Sequence, residues 1–242
     1  MRLDKILCDA SVGSRKDCFK LIRRGLVTVD GLVVKEADAK ISDNAVIAVD
    51  GQVIERLRRV VCIMHKTAGL VTSTEDDKNL TVMTKLPPAM LKQGVVPVGR
   101  LDKDTEGLLV FTNDGDLVHA LITPKYEIPK VYYVEHERDV NQQDIDRAAQ
   151  GLVLKDGTVC KSAILKRVAE GKSIIQIKEG MYHQVKRMYG CLELGLTYLK
   201  RIQIGGLCLG DLPPDGVREL TEEEIESLMD KDSSILDLNK RL

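Results

Sequence analysis

Gly99-Arg100-Leu101-Asp102-Lys103-Asp104-Thr105-Glu106-Gly107-Leu108-Leu109 gathers four charged side chains, besides Arg100, between two apolar runs. Val95, Val96 and Val98 precede it, and Leu108 to Phe111 follow it. Runs of β-branched and large apolar residues suit strands. The segment is therefore expected as a charged loop between two buried strands. Loops fixed by a rigid sheet often present reactive side chains. Asp102 follows the cation Arg100 and the apolar Leu101, and it is the candidate reactive carboxylate. A polar surface turn would have the same spacing, so the rest of the chain must separate the two readings.

The chain has 242 residues, room for one large domain or two smaller ones. With 43% hydrophobic and 30% charged residues it reads as a soluble globular protein. No apolar run reaches the roughly 18 residues of a membrane span. Met1-Arg2-Leu3-Asp4-Lys5 leads into no signal core, so a cytoplasmic location without membrane contact is expected. The six cysteines include no Cys-x-x-Cys pair, which argues against a zinc site and a disulfide framework. Reduced thiols and no metal are expected. The net charge of −1 hides an asymmetry. Met1 to Lys35 carries eight bases and four acids, whereas Asp211 to the C-terminus carries ten acids and four bases. A basic excess on a small module is a footprint for nucleic acid, although a solvated helix face gives the same count.

The first sixty residues read as one module. Leu3, Ile6, Leu7 and Ala10 recur at helical spacing. Ser14 with Asp17 resembles a capping box that opens a second helix. Phe19, Leu21 and Ile22 are expected on its apolar side, with Gly25 as its stop. Leu26 to Val29, the turn Asp30-Gly31 and Leu32 to Val34 form a hairpin pattern. Leu3-Asp4-Lys5, Gly13-Ser14-Arg15 and Gly25 to Gly31 together resemble an S4 RNA-binding domain. That resemblance implies phosphate contacts from Arg15, Lys16, Lys20, Arg23 and Arg24. Such contacts position a protein on RNA without reading sequence.

The charged run Glu55 to Arg59 marks a boundary, which predicts an RNA-binding module over 1–58 and a second domain over 59–230. A loose tail is expected over 231–242. Strands are expected at Val60–Met64, Leu108–Thr112, Val131–Glu135 and Ser173–Lys178, and helices at Asp116–Ile122 and Leu220–Met229. With no regular βαβ rhythm, the sheet should be mixed and mainly antiparallel. The fold class is thus α+β.

Two further segments join Gly99 to Leu109. One is Lys130-Val131-Tyr132-Tyr133-Val134, whose adjacent tyrosines must face opposite sides of a strand. The other is Glu179-Gly180-Met181-Tyr182-His183-Gln184-Val185-Lys186-Arg187-Met188. Together they resemble the pseudouridine synthases, specifically the small-subunit rRNA (RsuA) type, over nearly the whole chain. The resemblance implies an isomerase that detaches a uracil, turns it and rejoins it through carbon, without a cofactor. It makes Asp102 the nucleophile, Lys186 its ion-pair partner, and Tyr132 the residue that packs against the base and helps move its proton. Arg100 is implied to hold the flipped nucleotide. Lysine at 186 stands where related families place arginine and lacks the bidentate fork. Lys66-Thr67-Ala68-Gly69 departs from the family's Lys-Pro-x-Gly, and threonine there is expected to loosen the turn.

The implied partner is small-subunit rRNA or an assembling small-subunit particle, acted on by a monomer. Closely similar motifs occur in enzymes that modify large-subunit rRNA or tRNA. A binding protein without chemistry would also use the basic helix. A nucleoside hydrolase would need a second carboxylate to activate water, and Asp104 or Glu106 could serve on paper.

Overall fold

A pair of helices on a small sheet builds the first unit, Met1–Arg58. In α1 (Leu3–Asp9) the residues Leu3, Ile6 and Leu7 share one face and are buried. α2 (Arg15–Arg23) begins at Ser14, whose Oγ accepts a hydrogen bond from the Asp17 amide at 3.3 Å. Cys18 and Ile22, one turn apart, form its buried side. Phe19 departs from the expectation. It is exposed, and the Arg23 guanidinium lies 5.2 Å over its ring. One residue along a helix is a turn of about 100°, which carries position 19 away from the face shared by Cys18 and Ile22. The strands β1 (Val27–Val29), β2 (Leu32–Val33), β3 (Ile47–Val49) and β4 (Gln52–Val53) pair in the order β2-β1-β3-β4. Asp30 and Gly31 both take positive φ (49° and 81°), as a two-residue hairpin turn demands.

The computed structural model describes residues 1–233 except Ser11, Asp43 and Arg56. The expected loose tail lies, from Ser234 onward, outside the described residues. Among the described residues no helix is long and apolar enough to cross a membrane.

The second unit starts at Arg59. It runs β5 (Val61–Lys66), α3 (Pro88–Lys92), β6 (Val96–Val98), β7 (Glu106–Thr112), α4 (Gly115–Ile122), β8 (Lys130–His136) and α5 (Gln142–Gln150). Then follow β9 (Ile164–Ala169), β10 (Lys172–Ile177), α6 (Gln184–Cys191), β11 (Leu196–Ile204), β12 (Leu207–Cys208), β13 (Val217–Glu219) and α7 (Glu222–Ser227). The sheet order is β13-β5-β7-β11-β8-β10-β9, with β6 beside β7 and β12 beside β11. The β7–β11 pair is parallel and the other described pairs are antiparallel. The domain is a mixed, mainly antiparallel α+β fold.

Both faces of this sheet are covered. Leu109 and Phe111 of β7 join a core with Val185 and Met188 of α6, while Leu108 and Val110 join one with Leu117 and Leu121 of α4. Strands covered on both faces read as unbroken apolar runs, which is why Leu108 to Phe111 shows no alternation. β6 differs from the expected buried strand: Val98 is buried but Val96 is exposed, because β6 is a short strand laid against β7 alone.

Close approach of backbones fixes how the strands meet. Gly107 (φ 104°) pairs with Arg201, and a Cβ at Gly107 would lie 2.1 Å from the Arg201 carbonyl oxygen. Gly205 likewise lies against the carbonyl of Leu228, so α7 can cover the end of β11. Gly107→Ala is expected to destabilise the second unit by about 3 kcal/mol or more. Thermal unfolding of the purified variant checks this; an unchanged melting temperature would contradict the close-packed approach of β7 to β11.

Candidate active site

The loop from Gly99 to Thr105 connects β6 to β7, and its backbone is held from below. Lys66 ends β5 and is fully buried. Its Nζ donates to the carbonyls of Thr67 (3.1 Å), Asp102 (3.1 Å), Lys103 (3.2 Å) and Thr105 (2.7 Å). Burial pulls this ammonium down to about 8, against the opposing pull of the Asp104, Glu106 and Asp102 charges. The Gly69 amide donates to Lys103 O at 2.7 Å. The Thr72 hydroxyl donates to Leu101 O at 2.8 Å and accepts from the Leu101 amide at 3.2 Å. Thr67 is tied down rather than loose: its hydroxyl donates to Asp215 at 2.6 Å, and Asp215 is paired to Lys85 at 2.7 Å.

This loop presents Asp102 and Asp104 to α6. Lys186 Nζ lies 3.2 Å from Asp102 Oδ2 and 2.5 Å from Asp104 Oδ1. Burial lowers the Lys186 pKa, but its bonds to Asp104 and Asp102 prevail and hold it above the ordinary lysine value. The bond from Lys186 holds Asp104 below the usual carboxylate range. His183 Nε2 stands 3.4 Å from Asp102 Oδ1. Its backbone is left-handed (φ 48°), and its ring stacks on the exposed Tyr182 ring at 3.8 Å. Sequence reasoning gives His183 no catalytic role, since the mechanism implied by the resemblance supplies none.

A cavity of about 140 Å³ opens beside these groups. Asp102, Tyr132 and Lys186 line it together, and the exposed Arg100 stands at its rim. Tyr132 is buried and faces the cavity, while Tyr133 bonds Glu135 at 2.8 Å. Glu106 accepts from the Tyr198 hydroxyl at 2.6 Å. Two cations that sequence reasoning missed also line the cavity, Lys130 and Arg201. The five basic positions of α2 and its end lie in the first unit and are all exposed. Arg15 and Lys20 each make one ion pair at 3.5 Å, with Asp4 and Asp17.

Residues 60–189 match the family described as RNA pseudouridylate synthase, and residues 1–47 match the S4 domain. A Bacillus subtilis protein named an uncharacterized RNA pseudouridine synthase is 37% identical, over 94% of this chain and 98% of its own length. The chain belongs to the RNA pseudouridylate synthase family. These synthases are isomerases. A ribosomal small subunit pseudouridine synthase A of Vibrio cholerae is 36% identical over 94% of this chain and 99% of its own. A ribosomal large subunit pseudouridine synthase B of Bacillus subtilis is also 36% identical, over 94% and 95%. A crystal structure of a pseudouridylate synthase superposes with a TM-score of 0.67 at 30% identity, covering 94% of this chain and 99% of that one.

Within this synthase Lys66 is the residue on which the loop geometry turns. Lys66→Met leaves buried carbonyls without their donor and is expected to cost roughly 3 kcal/mol. Amide exchange at Gly69 and Thr105 should quicken in the variant. Wild-type exchange at both amides would show that the loop does not depend on the ammonium.

Proposed function

We propose that this synthase converts one uridine of small-subunit rRNA to pseudouridine, with Asp102 as its nucleophile. The observation that carries this reading is the Asp102 carboxylate, fixed by a pinned backbone at the wall of a cavity it shares with Tyr132 and Lys186. In the overall change the bond from ribose C1′ to uracil N1 breaks and one from C1′ to C5 forms. The C5 hydrogen leaves as a proton, and N1 gains one. Lys186 orients the carboxylate for attack. Tyr132 packs against the base and its hydroxyl serves the proton transfer at the ring. Arg100, at the rim, holds the nucleotide in its flipped state, and flipping costs least for an unpaired base.

Arg15, Lys16, Lys20, Arg23 and Arg24 supply phosphate contacts from the S4 domain. The small-subunit target is favoured by the relatives that carry that name. The same reaction on large-subunit rRNA is the second reading, because a relative so named is equally similar. The working form is a monomer in the cytoplasm, acting on RNA or an assembling particle.

Tritium release from small-subunit RNA labelled at uridine C5 tests the chemistry. Wild type should release it. Asp102→Ala should release none while still binding RNA, and a clean Asp102→Ala preparation that retains activity overturns the assignment. Arg23→Gln with Arg24→Gln should weaken RNA binding and lower the salt slope by roughly one for each phosphate that is no longer neutralised. An unchanged slope would remove these two residues from the RNA surface.

A further inference from the structure

Lys130 and Arg201 stand on the same face of the sheet as Tyr132. Lys130 is two residues before Tyr132 on β8, and alternate strand residues share a face. Arg201 on β11 lies directly opposite Tyr132 in the antiparallel register, so its side chain leaves the same face. The parallel pairing of β11 with β7 is short, joining Lys200 to Glu106 and Arg201 to Gly107. Arg201 lines the cavity together with Val110 and Ile204.

Neither cation is used up by the protein. Arg201 is 3% exposed; its Nε donates to Leu108 O at 2.8 Å, but its buried Nη2 has no partner among the described residues. Lys130 Nζ donates to Ile128 O at 3.0 Å, and an ammonium has three donors. Burial, with the Arg201 charge added, lowers Lys130 to about 8. Lys66 is the contrast, since four carbonyls surround its ammonium. Two largely desolvated cations side by side, with donors to spare, are costly unless an anion joins them.

We propose that Lys130 and Arg201 hold the uracil ring and the negative charge that appears on it when the glycosidic bond breaks. The inference rests on the isomerase reading above. Whichever atom Asp102 attacks, the electron pair of the N1–C1′ bond departs with the ring. The detached uracil is then an anion whose charge is shared by its ring nitrogens and carbonyl oxygens. Donors placed where charge develops act in a site shielded from water, where they count most. Bonds to those oxygens also keep the base in place while it turns. When C5 joins C1′ the bond to Asp102 breaks, so the negative charge passes from the ring to the freed carboxylate; C5 then loses its proton and N1 takes one. Besides Lys130, the cavity is faced by Tyr132 from β8, Arg201 from β11, Arg100 and Asp102 from the loop, Lys178 and Glu179 after β10, and His183 and Lys186 at α6.

The test compares wild type with Lys130→Gln by tritium release at saturating RNA across pH, and by binding of free bases. The charged form of Lys130 exists below about pH 8, so wild-type turnover should fall as pH rises through that value. In Lys130→Gln turnover should be roughly a hundredfold lower near neutral pH, with KM for RNA little changed and the alkaline fall reduced to the part that Lys66, also held at about 8, supplies. Only Lys130 is subtracted, so what vanishes from the profile belongs to it. A variant that keeps the wild-type rate, or whose alkaline fall is as deep as that of wild type, overturns the proposal. The binding arm does not need turnover. 5-Nitrouracil, which is largely an anion near neutral pH, should bind wild type at least tenfold tighter than uracil, and Lys130→Gln should lose that preference. Equal binding of the two bases to wild type overturns the anion site even if the enzyme is active. Absence of tritium release by wild type on every RNA tried would instead strike the isomerase reading, with the binding arm still deciding this one.

Discussion

The buried ammonium of Lys66 is the constraint on which the site depends. A tight loop turns several carbonyls inward, and a buried carbonyl without a donor is costly. A single cation at the end of β5 meets those of Asp102, Lys103 and Thr105 together. The loop backbone cannot then shift without stranding at least one of them. The direction of the Asp102 side chain follows from that backbone. Gly107 completes the arrangement from the other end, because the lack of a Cβ lets β7 lie against the Arg201 backbone. The spacing of Asp102, Thr105 and Gly107 is thus the trace of one loop clamped at both ends. Thr67, where a proline would have stiffened the turn, reaches a similar end through its bond to Asp215.

Charge in the second unit is sorted by position. Asp102 and Asp104 meet Lys186 on the α6 side, while Lys130 and Arg201 come from the sheet. Tyr132 lies between these two sets on its own strand, opposite Arg201. The cavity thus offers a carboxylate on one side of Tyr132's neighbourhood and cations on the sheet that carries it. That polarity matches a bond that breaks with its electrons moving into the base.

Local features were legible in the sequence because local physics decides them. The Asp30-Gly31 hairpin and the Ser14 cap of α2 each follow from a few neighbouring residues. The charged loop, and the two tyrosines that face opposite ways, are equally local. Lys66, Lys130 and Arg201 were not legible. Lys66 ends and Lys130 begins an apolar strand, where a surface lysine is ordinary, and Arg201 lies midway along β11 beside Lys200, where it reads as one more surface cation. What makes them part of the site is the pairing of β11 with β8 and of β5 with β7, which brings distant segments into register. Phe19 failed for another reason: helical spacing assigns a face only once the buried stripe is known, and Cys18 rather than Phe19 supplies it.

The same geometry separates isomerisation from hydrolysis. A hydrolase needs a second carboxylate free to activate water beside the first. Asp104 is bound to Lys186, Glu106 is taken by the Tyr198 hydroxyl and the Ala68 amide, and Glu179, which also lines the cavity, accepts from the Lys161 amide and the Gln184 side chain. None of the three stands ready to take a proton from water. Isomerisation asks instead that the cavity keep the detached base and carry its charge until a new bond forms. Retention of this kind needs donors toward the ring rather than a base toward solvent. Lys130 and Arg201, with donors left over among the described residues, are placed for that need in the proposed reading.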